Sequence, residues 1–65
     1  MAKIMFEMLN GNVFEEDKGS NENACRWANA MMLNEDIVSV SVFGEEDGLD
    51  VEILNLRKDL SYGKF

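Results

Sequence analysis

From Ile37 to Phe43 the chain alternates Val38, Val40 and Val42 against Ser39 and Ser41. Successive side chains of a strand point to opposite faces, so this block predicts a strand with one apolar and one wet face. Such a strand cannot stand alone. It needs neighbours for its backbone hydrogen bonds and a layer over its apolar side. Leu49 to Asn55 repeats the pattern, with Leu49, Val51 and Ile53 apolar and Asp50 and Glu52 polar. Gly44-Glu45-Glu46-Asp47-Gly48 between them reads as a hairpin loop.

The first third of the chain offers two more strands. Ile4 to Leu9 is apolar apart from Glu7, and Asn10-Gly11 follows, a dipeptide in which both residues tolerate positive φ. The return strand is Val13-Phe14-Glu15-Glu16. A two-residue turn at Asn10-Gly11 and a three-residue turn from Asn10 to Asn12 place Phe14 on opposite faces relative to Phe6. The register stays open between them. After the polar stretch Asp17 to Asn21, Ser20 or Asn21 can cap a helix, with Glu22 in the first turn where the dipole favours a carboxylate. At 100° per residue Ala24, Cys25, Trp27, Ala28, Met31 and Met32 share one arc. Trp27, Met31 and Met32 are expected to face the sheet, and the helix to end near Leu33-Asn34.

The element order is therefore ββαββ, an α+β fold with one helix on a four-stranded antiparallel sheet. A right-handed crossover from the second strand to the third, spanning the first, predicts the spatial order 2-1-3-4. Residues 1–56 read as one domain. Residues 57–65 read as a basic, aromatic tail.

Several classes of function are disfavoured by what the chain lacks. It has no histidine, hence neither the commonest general base nor the commonest metal ligand. Cys25 is the only cysteine, which rules out an internal disulfide and suits a reducing, cytoplasmic setting. It lies on the apolar arc with no histidine to activate it, so it reads as a small core residue. The glycines are scattered turn residues, not a phosphate loop. Glu45-Glu46-Asp47-Gly48-Leu49-Asp50 lacks the alternating oxygen ligands of a calcium loop. No signal peptide or bilayer-spanning apolar run is visible. The expectation is a protein without enzymatic activity, cofactor or metal.

Charge gives the positive evidence. The chain of 65 residues carries 13 acidic and 6 basic residues, a formal net charge of −7. A surface of that sign repels nucleic acid and anionic lipid and attracts basic proteins. Glu15, Glu16 and Asp17 end the second strand, Glu22 opens the helix, and Glu45, Glu46 and Asp47 form the second hairpin, with Asp50 just beyond. The expected topology brings these groups to one acidic pole. Edge strands of a four-stranded sheet lie about 14 Å apart, of the same order as the DNA major groove. Two carboxylate rows so placed can imitate phosphates. Arg57, Lys58 and Lys64 give the tail a positive excess, too small against such a body to predict direct nucleic-acid binding. Leu60, Tyr62 and Phe65 are candidates for docking or self-association.

A short acidic chain without histidine or proline, one ββαββ unit long, resembles the accessory proteins that bacteriophages encode to inhibit host proteins. The resemblance rests on composition and length. It implies a protein of the host cytoplasm that occludes a host enzyme or DNA-binding protein, in some cases by mimicking DNA charge. The expected partner is a basic protein surface, such as the nucleic-acid site of a host protein. The alternative is a self-associating domain that dimerises through an edge strand, the helix or the tail.

Overall fold

A computed structural model describes residues 1–58. The elements are β1 (Ala2–Met8), β2 (Val13–Gly19), α1 (Asn21–Met31), β3 (Ile37–Glu46) and β4 (Leu49–Arg57). The strands form one antiparallel sheet in the order β2-β1-β3-β4, as expected, and α1 packs on one of its faces. The fold is α+β. No described helix is long and apolar enough to cross a membrane.

Both hairpins are set by a residue with positive φ. At the first, the Met8 N–H donates to the Asn12 carbonyl (2.8 Å) and the Gly11 N–H to the Met8 carbonyl (2.9 Å). The loop is therefore Leu9-Asn10-Gly11, with Gly11 at φ 91°, which glycine adopts without a Cβ penalty. Neither loop read from the sequence is the one formed. Phe6 pairs with Phe14 on the same face, and their rings stack with centroids 5.4 Å apart. At the second hairpin Glu46 pairs with Leu49, leaving Asp47 (φ 52°) and Gly48 (φ 80°) as the turn. Two positive φ values in succession fit a type I′ turn, whose twist matches that of the strands. β3 therefore continues to Glu46, beyond the Phe43 expected from alternation alone.

Each strand pair holds one bulge. Lys3 pairs with Asp17 and Ala2 with Gly19, leaving Lys18 over. Glu7 pairs with Ser39 and Met8 with Ile37, leaving Val38 over. Val42 pairs with Leu54 and Phe43 with Glu52, leaving Ile53 over. A bulge shifts the alternation by one, so side chains before and after it change faces. In β4 this overturns the sequence reading at Ile53, which leaves the phase of Leu49 and Val51. Leu54 and Leu56 pack against the core, whereas Leu49, Val51 and Ile53 stay 69%, 37% and 40% exposed.

Ser20 caps α1, its Oγ accepting from the Asn23 N–H at 3.1 Å. Ala24 and Ala28, one turn apart, are fully buried in a cluster with Ala2, Ile4, Ile37, Val40 and Val42. Two alanines on the inner stripe let the helix approach the sheet closely. Met31 and Met32 pack against this cluster as expected, and Cys25 joins them half-buried. Trp27 does not. It sits on the flank of the helix, 48% exposed, with Lys18 Nζ 4.1 Å from its ring centroid. The domain also extends past residue 56: Arg57 belongs to β4, and the Lys58 N–H donates to the Val38 carbonyl at 2.9 Å.

Candidate functional site

The uncovered face of the sheet holds a group of the acidic residues. Gly44 marks the covered face, since a Cβ built there meets the Asn21 side chain of α1 at 2.9 Å. Its neighbours along β3 in either direction, Phe43 and Glu45, point the other way. Pairing carries this outward to Glu52 (opposite Phe43) and Asp50 (opposite Glu45). On the other side Phe43 pairs with Lys3, which pairs with Asp17, and Met5 pairs with Glu15. A shallow depression lined by Lys3, Met5, Glu15, Phe43 and Asp50 joins these residues on one surface.

The result is two acidic rows flanking a mixed floor, where Met5 and Phe43 sit among Lys3, Glu7, Ser39 and Ser41. Glu15 and Asp17 lie two residues apart on β2, and Asp50 and Glu52 two apart on β4. The spacing within a row is roughly 7 Å, and the rows are about 14 Å apart across three strand spacings. Met5 and Phe43 lie between them, on β1 and β3. Lys3 is the cation among them, directly opposite Asp17. Glu45 faces Asp50 across the hairpin, so like charges are paired.

The acidic residues singled out from the sequence thus divide. Glu15, Asp17, Glu45 and Asp50 gather on the open face, with Glu46 and Asp47 at the hairpin tip beyond them. Glu16 points to the helix side, opposite Ile4, and is held by Lys18 at 2.8 Å. Glu22 is held on the helix by Arg26 at 2.9 Å. Among the described residues these are the ion pairs formed, and no acidic residue of the open face takes part in one. Leu60, Tyr62 and Phe65 lie outside the described residues.

Glu52, Met5 and Phe43 were not singled out as site residues. Phe43 carried a signal: it occupies the wet phase of the Ser39, Ser41, Phe43 alternation, where an aromatic has no core to enter. The Glu52 carboxylate accepts from Asn55 Nδ2 at 2.7 Å, which fixes one end of its row. No three acidic or thiol side chains among the described residues are gathered to hold a metal ion. No protein-family model, curated protein or solved structure matches the chain.

Proposed function

We propose that the chain is a non-catalytic protein-binding module whose open sheet face takes a basic surface of a partner protein, as an inhibitor or modulator of that partner. The observation that carries the reading is the pair of carboxylate rows, Glu15/Asp17 and Asp50/Glu52, on one face. Their separation is of the order of the DNA major groove, about 12 Å wide. A protein built to straddle phosphate rows meets carboxylates in comparable places. Met5 and Phe43 between the rows supply apolar contact for the stems of arginine or lysine side chains. Arginine fits best, because its planar fork grips a carboxylate while its stem lies on an aromatic ring. Both rows carry the same sign, which favours fast, salt-sensitive association.

The test is capture from bacterial lysate at low salt, with wild type beside a Glu15→Lys/Asp17→Lys/Glu52→Lys variant. The expected result is a partner that wild type retains, the variant loses, and added duplex DNA displaces. Retention of every partner by the variant overturns the reading.

A further inference from the structure

The two edges of the sheet are unlike. β2 carries Glu15, Glu16 and Asp17 in succession, then Lys18 in a bulge. Consecutive charges on an edge strand discourage pairing with another chain. β4 has a bulge of its own at Ile53 but no run of consecutive charges. It is nine residues long, its outer side has no strand partner among the described residues, and Leu49, Val51 and Ile53 are exposed along it.

We propose that β4 pairs antiparallel with β4 of a second copy of this chain, around a twofold axis at Leu54. The charges of β4 support this occupant. Ile53 already stands outside the ladder that β4 makes with β3. With Ile53 outside the outer ladder as well, Asp50 and Glu52 share the open face with Asn55 and Arg57, and Val51 shares the covered face with Leu54 and Leu56. A twofold at Leu54 then sets Asp50 opposite Arg57 of the second copy, Glu52 opposite Asn55 and Val51 opposite Leu56. Every pair matches in face, and the one pair with charges on both sides joins opposite signs, made twice by symmetry. Sliding the copies one way sets Glu52 against Glu52. Sliding them the other way also sets Glu52 against Arg57 but shortens the ladder to those residues and leaves Asp50 without a partner, so Asp50→Arg tells the two registers apart.

Other edge pairings are opposed. Two β2 strands in register set carboxylate against carboxylate. A β4 on β2 contact that overlaps the whole of β2, which would propagate into an open filament, sets Asp50 or Glu52 against the carboxylates of β2. The closed dimer about Leu54 is the longest edge pairing that matches opposite charges and opposes no like ones. It also supplies burial that a domain of this size lacks.

Sedimentation equilibrium of the full chain up to millimolar concentration tests this, beside Asp50→Arg, Arg57→Asp and the double exchange. A dimer is expected for wild type. Each single reversal weakens it on the order of tenfold or more, since two symmetric pairs turn from attraction to repulsion, and the double exchange restores it. Circular dichroism confirms that each variant is folded, and Val51→Lys on the same edge gives a second disruption independent of Asp50 and Arg57. Wild type that stays monomeric overturns the proposal. So does a dimer indifferent to the reversals, or one that the double exchange fails to restore.

Discussion

Glu45 and Asp50 face each other across the β3–β4 hairpin, two carboxylates in one cross-strand pair. Directly opposed like charges weaken a sheet by roughly 0.2–1 kcal/mol. The pair is retained where the turn chemistry, Asp47-Gly48, is favourable. Glu45→Lys is expected to raise the unfolding free energy by up to about 1 kcal/mol. The same substitution is expected to weaken capture of a basic partner. Urea unfolding and lysate capture on one preparation measure both. A variant that gains stability and keeps its partner argues against a role for the hairpin in binding.

The core rests on few large side chains, with Ile4, Val40 and Val42 the largest that are fully buried. Removing one is felt strongly. Ile4→Ala is expected to cost about 2–5 kcal/mol and Ile4→Val about 0.5–1.5. A domain this small holds on the order of 3–5 kcal/mol in all. Ile4→Ala should therefore lose most of its cooperative thermal transition, while Ile4→Val keeps it at a lower midpoint.

Lys18 joins two elements, with its ammonium at 2.8 Å from Glu16 and over the Trp27 ring at 4.1 Å. Lys18→Ala is expected to lower stability by about 1 kcal/mol, chiefly through the lost cation–π contact and stem packing. Trp27 is the only tryptophan. Acrylamide should quench its fluorescence more efficiently in the variant than in wild type. Unchanged quenching would show that the lysine does not shield the ring in solution.

Ser20→Ala removes the acceptor for the Asn23 N–H and is expected to cost about 0.5–2 kcal/mol. Ser20→Asp should keep most of the stability, since the carboxylate also caps and favours the helix N-terminus. Chemical denaturation of the three proteins orders them.

The element order, the strand order and the N-cap were legible in the sequence because each rests on a local rule. Alternation marks strands, Ser20 followed by Glu22 marks a helix start, and the crossover rule settles which strands are central. The bulges were not legible. Ile53 continues the apolar phase of Leu49 and Val51, and nothing local says that the ladder skips it. The choice between Ile53 and Leu54 as the inward residue is made by the register with β3, a long-range fact. Trp27 was misplaced for a related reason. The 100° arc treats its members alike, but close approach at Ala24 and Ala28 leaves no room for an indole beneath the helix, and the Lys18 bulge offers it a partner outside. For the site, the charge excess was readable from residue counts, and the placement of the acidic segments rested on the expected topology. The division of Glu15 and Asp17 from Glu16 follows from the pleat, and awaited only the register that the Leu9-Asn10-Gly11 loop sets.

Ile53 fixes more than a kink. The chain before it is held one place out of phase with the chain after it. A deletion of Ile53 alone would leave Glu52 opposite Phe43 and Leu54 opposite Val42, adjacent in a regular ladder with every face kept. The electrostatic pattern of this surface thus depends on Ile53 staying outside the ladder: were the bulge to close with Ile53 kept in, Asp50 and Glu52 would turn beneath the helix and Leu49 and Val51 would go to the open face.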